Sequence, residues 1–556
     1  MGAGGKDMQS IEKRNTVALS CVPVIRALSV AALMALCACG GGGSQGALSS
    51  SSTGASGSGG TATTQWIPGN FQPSSHFAAQ CAAPRSGVDP VTGSPYPDVS
   101  GSTLTENNWL RSWSNELYLW YSEIADQDPS LFSTADYFNQ LKTFANDAAG
   151  EPKDKFHFTY TTAQWESLST ADTEPGYGAD WAIIAASPPR QIVVAYTVAN
   201  TPASTAPANL VRGTQILAID GVDVVNADDQ ASVNTINAGL TPATVGETHT
   251  FSVQDPGTTV ARTVTLQSIN VTENPVPDVA TIPTTTGNVG YMLFNDHLAT
   301  AEAALVSAVN TLKAANVTDL VIDIRYNGGG FLDIASELAY MVAGPGATAG
   351  RTFDSTQFND KNPSTDPVTG APLTPELFLS SSVGLSVPSG QALPTLNLPR
   401  VFVLTTSSTC SASEAVMNGL RGVGIDVVQI GTTTCGKPYG FYPQDNCGTT
   451  YFSIEFRGVN AQGFGDYPDG FSPSGSGADN TTTANLPGCT VADDFSHALG
   501  DTSEAQLAAA LSFRLSQTCP PAAAMAVQKR SLRAQAWPAS ISVKSPWREN
   551  LLLRRR

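Results

Sequence analysis

Apolar residues recur at three- and four-residue intervals from residue 103 onward: Trp109, Trp113, Leu117, Trp120 and Ile124 would lie on one face of a helix. A second helix is expected to start at Ser133, with Asp136 as its first-turn acid, and to run through Tyr137, Leu141 and Phe144. This aromatic stripe reads as core packing, so the region predicts a small helical domain. Between Gly176 and Gln267 the period changes to short β-rich runs, including 191–196, 215–219 and 249–253, separated by turn residues. After Val289 a strand–turn–helix pattern repeats. Strands are expected at 289–294, 320–324, 401–404 and 427–430, with helices at 301–314, 331–342 and 413–420, which is an α/β layout. The stretch 344–399, rich in Pro, Ser, Thr and Gly, is too long for an ordinary connection and predicts a surface excursion or a lid.

The first residues carry a different pattern. After Arg26 comes the twelve-residue apolar run ALSVAALMALCA, too short to cross a bilayer. A basic start, a short apolar stretch and small residues before a cut describe an export signal. The sequence L-C-A-C at 36–39 resembles the lipobox of bacterial lipoproteins. That resemblance makes Cys39 the lipidated first residue of the mature chain, although Cys37 departs from the usual small residue; a plain signal cut nearby is the alternative. MGAGGK lacks the Ser or Thr of a myristoylation signal. From 40 to 64 almost every residue is Gly, Ser, Ala or Thr, a composition that forms a tether rather than a core.

Charge narrows the partners. The 556 residues carry 29 basic and 47 acidic side chains, and 41% are apolar, which excludes a disordered or collagenous chain. Residues 39–520 alone hold 17 basic and 44 acidic groups, a net −27, while 521–556 carry eight basic residues against Glu549. So acidic a body repels phosphate backbones, and nucleic-acid binding is disfavoured. Beyond Cys21, Cys37 and Cys39, six cysteines remain, an even number that suggests disulfides in an exported chain. Cys435–Cys447 and Cys489–Cys519 are the expected pairs because each closes a short loop. With no C-x-x-C and no Cys/His cluster, no zinc site is expected.

In the β-rich stretch, Gly176-Tyr177-Gly178-Ala179 precedes NTPASTAPANLVRGTQILAIDGVDV, and the layout resembles a PDZ domain. The resemblance makes residues 176–179 a substrate-binding loop whose amides cradle a terminal carboxylate while the peptide adds as a strand. Thr214 stands where that family usually has Asp.

Chemistry is expected around Ser411, which VFVLTTSSTCSASEAVMNGLRG places in the turn between a buried strand and a helix. There its hydroxyl sits at the strand's end and near the helix N-terminus, which favours developing negative charge. A serine needs a base, and Lys437 lies 26 residues later, the single lysine between Asn362 and Pro520. To act as a base it must be neutral, which requires desolvation to lower an amine pKa of about 10.4 by about three units. VIDIRYNGGG, TCSASEAVMNGL and IGTTTCGKPYG, in this order after the PDZ-like stretch and GYMLF, resemble the C-terminal processing peptidases, or tail-specific proteases, across residues 105–515.

That resemblance implies a serine endopeptidase with Ser411 as nucleophile, Lys437 as general base, and the amides of Ala412 and of a glycine in 328–330, taken as Gly329, as the oxyanion hole. Three departures stand out. The serine-to-lysine spacing is one residue longer than usual. Phe441 occupies the place of the glutamine that orients the lysine, with Gln444 or Asp445 as substitutes. Cys410 and Cys435 flank both catalytic candidates, suggesting a disulfide-braced site. A Ser–His–Asp arrangement using His297 or His497 with Asp296 or Asp493 is the weaker competitor, since no G-x-S-x-G elbow accompanies it.

The expected architecture is multi-domain α/β: export signal 1–38, tether and extension 39–100, helical domain 101–172, PDZ-like domain 173–272, a ClpP/crotonase-like α/β core 273–520, and a basic disordered tail 521–556. The expected function is cleavage of polypeptide substrates, with recognition of C-terminal or unfolded segments, by a lipid-anchored protein facing the periplasm from the outer membrane of a Gram-negative bacterium. No cofactor or metal is called for. The alternative is a non-catalytic peptide-binding lipoprotein that keeps the protease fold.

Overall fold

The computed structural model describes residues 66–147, 150, 152–171, 173–475, 484–520 and 551–552. Cys39, the expected export signal 1–38, the expected tether 40–64 and all of the basic segment save 551–552 lie outside the described residues. Among the described residues no helix is long and apolar enough to cross a membrane.

The first helix, Thr103–Leu117, is capped by Ser102, whose hydroxyl accepts from the Thr105 amide at 3.2 Å. Trp109, Trp113 and Leu117 are buried on one face, and the two indoles stack with centroids 5.3 Å apart. The helix stops before Trp120 and Ile124, because the Leu119 amide donates to the Ile454 carbonyl at 2.8 Å and draws the chain out onto its neighbour. The second helix, Thr134–Gln140, starts at the expected Ser133 cap but ends before Leu141, leaving Phe144 exposed.

The β-rich stretch forms an antiparallel sheet with strand order Ala261–Gln267, Thr248–Gln254, Gln215–Ile219, Gln191–Thr197 and Ala179–Ala185, to which Val222–Asp223 adds beside Gln215–Ile219. A helix absent from the sequence expectations, Gln230–Leu240, closes it by burying Val233, Ile236 and Leu240. Arg212 fastens this module to the rest of the body. Its guanidinium donates to Tyr326 Oη at 2.6 Å, Asp493 Oδ1 at 2.5 Å and the His497 carbonyl at 3.1 Å.

The α/β body is built on a six-stranded sheet in the order Asp278–Thr284, Gly287–Leu293, Val317–Asp323, Arg400–Thr405, Asp426–Gly431 and Gly488–Thr490. Only the first pairing is antiparallel. Alternation along the strands feeds two cores. Met292, Leu320, Ile322, Val401, Val403 and Val427 face helices Ala301–Ala314, Leu332–Ala343 and Ala412–Gly422. Tyr291, Val321, Phe402, Leu404, Val428 and Ile430 face helix Ala505–Ser516. Burial on both faces is why these strands read as continuous apolar runs.

Two expectations need correction. The 344–399 stretch is not a surface excursion throughout: Phe353, Phe378, Leu393 and Leu398 enter the main core, and strand Thr352–Gln357 pairs with Phe456–Val459. Glu302 then accepts the amides of Gly384, Ser386 and Val387 at 2.9, 2.6 and 2.7 Å. The disulfides are Cys81–Cys447, Cys410–Cys435 and Cys489–Cys519, so the expected Cys435–Cys447 bond does not form. Loop-closure cost grows slowly with length, and the fold's placement of cysteines outweighs a short loop.

Candidate active site

Ser411 ends the turn after strand Arg400–Thr405 and caps helix Ala412–Gly422 with φ +60° and ψ −112°. For a residue with a side chain this is a strained backbone, of the kind a sharp strand-to-helix elbow imposes. Its hydroxyl is buried and makes no hydrogen bond. Ala412 is the first residue of the helix, where an amide has no acceptor within the helix.

Asn327 holds the glycine turn against this elbow. Its carbonyl accepts from the Cys410 amide and the Ser413 hydroxyl, both at 3.0 Å. Its side-chain Oδ1 accepts from the Gly329 amide at 3.0 Å, while Nδ2 donates to the Phe294 carbonyl at 3.0 Å. The Gly329 amide is therefore engaged. Gly330, at φ +134°, takes a backbone that other residues rarely adopt, and a Cβ there would come within 2.4 Å of the His297 carbonyl.

Glu414 draws the serine and lysine turns together. Oε2 accepts from the Ser411 amide at 3.0 Å and the Lys437 amide at 2.8 Å, while Oε1 accepts from the Gly436 amide at 2.9 Å and from the Thr434 hydroxyl. Burial raises its pKa, and these four donors oppose the rise. The Cys410–Cys435 bond, with Cα atoms 5.2 Å apart, joins the same two turns one residue before Ser411 and two before Lys437.

Lys437 is fully buried, with Nζ 4.3 Å from the Phe156 ring centroid and 4.8 Å from that of Phe441. The ring at 441 thus meets the amine where an orienting amide was expected. Gln444 and Asp445 lie in strand Gln444–Asn446, paired with Thr449–Phe452, where Asp445 accepts from Thr450 at 2.5 Å. Three contributors escaped sequence reasoning. Glu414 completes an S-x-x-E capping pattern that was there to be read; Asn327 was seen only as part of a glycine turn; Phe156 carries no local signal.

The histidines are occupied otherwise. His297 Nδ1 faces Asn327 Oδ1 at 3.0 Å, and burial pushes its pKa down to about 3. His497 pairs with Asp494 at 2.6 Å, while Asp493 is committed to Arg212 and Arg325. Cys410, Glu414 and Cys435 have the spacing of metal donors, but the two sulfurs are bonded to each other.

The expected substrate-binding loop, residues 176–179, lies beside the antiparallel module. Gly176 ends strand Thr173–Gly176, and Gly178, at φ +74°, sits so close to Thr201 that a Cβ would meet its side chain at 2.3 Å. Ala179 opens the strand that follows, and Tyr177 is buried behind the turn. Together they border a cavity of about 480 Å³ reaching Tyr196 and Leu240.

Residues 288–441 match Peptidase family S41. Over 230 residues the chain is 27% identical to the carboxyl-terminal-processing protease of Picosynechococcus sp. (strain ATCC 27264 / PCC 7002 / PR-6), covering 40% of this chain and 45% of that relative. The chain thus spans less than half the length of this curated relative. A crystal structure from Bacteroides fragilis NCTC 9343, assigned to the S41 proteases, has the same fold with a TM-score of 0.53 at 22% identity, covering 76% of this chain and 98% of that one. The matched stretch contains the glycine turn, the serine elbow and the lysine turn just described, and over residues 288–441 the chain is similar to Peptidase family S41, with homology to a carboxyl-terminal-processing protease.

Proposed function

We propose that the protein is an exported serine endopeptidase that cleaves polypeptides with Ser411 as nucleophile and Lys437 as general base. The observation that carries this reading is the shared carboxylate oxygen of Glu414, which holds the main chains of both residues within one hydrogen-bonded shell. A lysine base has to be uncharged when it takes the proton, and Lys437 is fully buried beside two phenyl rings. Lys437 Nζ moves off the phenyl rings to take the Ser411 proton, since catalytic hydrogen bonds often tighten only when substrate arrives. Oγ attacks the peptide carbonyl and the amine leaves with the proton that Lys437 returns. Water, deprotonated by Lys437, then hydrolyses the acyl-enzyme. The oxyanion is received by the Ala412 amide and by one from the glycine turn. Because Gly329 already donates to Asn327, Gly330 is the better donor of the two.

The PDZ-like module captures C-terminal or unfolded segments along strand Ala179–Ala185, with residues 176–179 and the adjoining cavity receiving the chain end. Lipidation at Cys39 tethers the body to the outer membrane on its periplasmic side. Replacing Ser411 by Ala, or Lys437 by Ala, should abolish cleavage of an unfolded protein with thermal unfolding preserved; turnover retained in either variant refutes the dyad.

The unbonded Ser411 hydroxyl and the Phe441 ring favour one second reading, a peptide-binding lipoprotein without catalysis. Covalent labelling of Ser411 by a fluorophosphonate distinguishes the two.

A further inference from the structure

Gly330–Phe331 form a short strand directly after the glycine turn. One edge is closed by His297, whose amide donates to the Gly329 carbonyl at 3.0 Å and whose carbonyl accepts from the Phe331 amide at 2.9 Å. Successive peptide groups of an extended strand point to opposite edges, so those of Gly330 face away from His297. On that side lies a piece of the chain itself. Leu551–Leu552 runs parallel to the strand, with Leu551 opposite Gly330 and Leu552 opposite Phe331. The same pair approaches Tyr439–Gly440, which begins two residues after Lys437.

A polypeptide substrate has to lie extended along a main-chain edge while it offers a carbonyl to Ser411, and this edge adjoins the glycine turn. We propose that the Gly330–Phe331 edge is the substrate-strand site, selective for extended aliphatic segments, and that Leu551–Leu552 is its resident occupant, competing with substrate from within the chain. The proposal rests on the peptidase reading and adds its substrate class and its restraint. Two features of the sequence favour occupancy. Only thirty residues separate Pro520 from Leu551, so the occupant meets the edge as part of the same chain and not by a bimolecular encounter. Arg554, Arg555 and Arg556 follow the leucines in a chain whose residues 39–520 carry net −27.

The test uses the full chain with Leu551→Asp and Leu552→Asp together, assayed on an unfolded protein. KM should fall about fivefold or more with kcat unchanged, and a synthetic peptide of residues 545–556 should raise it again competitively. Binding of the same peptide, fluorescein-labelled, is measured by anisotropy on the double variant carrying Ser411→Ala. Unchanged KM with no peptide binding overturns the occupant while leaving the peptidase standing. Peptide binding with no turnover in any form supports the occupant and refutes the peptidase.

Discussion

The amides of Ser411 and Lys437 converge on one atom, Glu414 Oε2, at 3.0 and 2.8 Å. A carboxylate in the first turn of helix Ala412–Gly422 thus ties together two turns that are far apart in sequence. Glu414→Gln keeps the shape but leaves one accepting oxygen for four donors, so either the Ser411 and Lys437 amides or the Gly436 amide and Thr434 hydroxyl lose their acceptor. We expect kcat to fall on the order of a hundredfold, as small misplacements of reacting groups do, with KM changing much less. Steady-state kinetics on a peptide substrate decides this. A loss confined to KM would show that Glu414 does not set the catalytic geometry.

The Cys410–Cys435 bond is a second tie between the same turns, closing a loop with a sequence separation of 25 residues. Its removal in the Cys410→Ser, Cys435→Ser double variant should cost about 3 kcal/mol of stability. Activity should fall by more than the loss of folded protein accounts for. Reductant should lower the activity of the parent chain and leave the double variant unaffected, which separates this bond from the other two disulfides.

Arg212 carries the attachment of the antiparallel module. Asp493 pays the desolvation of burial yet stays below the usual carboxylate range, because Arg325 and Arg212 stand beside it. Breaking one arm of such a buried cluster leaves charge and donors unmatched, so Arg212→Met should destabilise the protein by about 3 kcal/mol in urea unfolding. Tyr326, which accepts from Arg212, immediately precedes Asn327, and the glycine turn should loosen as well. A variant as stable as the parent would mean that the module is held by other contacts.

Sequence made the core strands legible for a physical reason: parallel strands buried on both faces, such as Arg400–Thr405 and Asp426–Gly431, appear as unbroken apolar runs. The Ser133 cap was equally readable, since its hydroxyl accepts from the Asp136 amide three residues on. Helix Gln230–Leu240 was hidden because Val233, Ile236 and Leu240 are spaced among Asn, Thr and Gly, and its stability comes from the sheet it covers. Within the site, the serine and lysine turns announced themselves by motif, but the partners around them are set by tertiary placement. Phe156 reaches Lys437 from a distant, irregular stretch, and Cys81 finds Cys447 across 366 residues. No local pattern encodes either contact. The docking of Phe353 and Phe378 was likewise lost in a stretch whose composition is that of a loop.

Asp354 gives the stability a dependence on pH whose sign can be worked out. It lies on strand Thr352–Gln357, buried with Oδ1 unpartnered, and burial together with the charge of Glu376 pushes its pKa up to about 8. In the unfolded chain the same carboxyl ionises near about 4. Between these two values the folded protein holds a proton that the unfolded chain has released, so stability falls as pH rises through the window. Glu337, also pushed up to about 8 by burial and by Glu302, acts in the same direction. Asp354→Asn keeps the shape without the charge. Urea unfolding at pH 5 and pH 9 should show the parent losing on the order of 3 kcal/mol more than the variant across that interval. Parallel losses in both would place an ionised, solvated carboxylate at position 354 and remove it as a source of the trend.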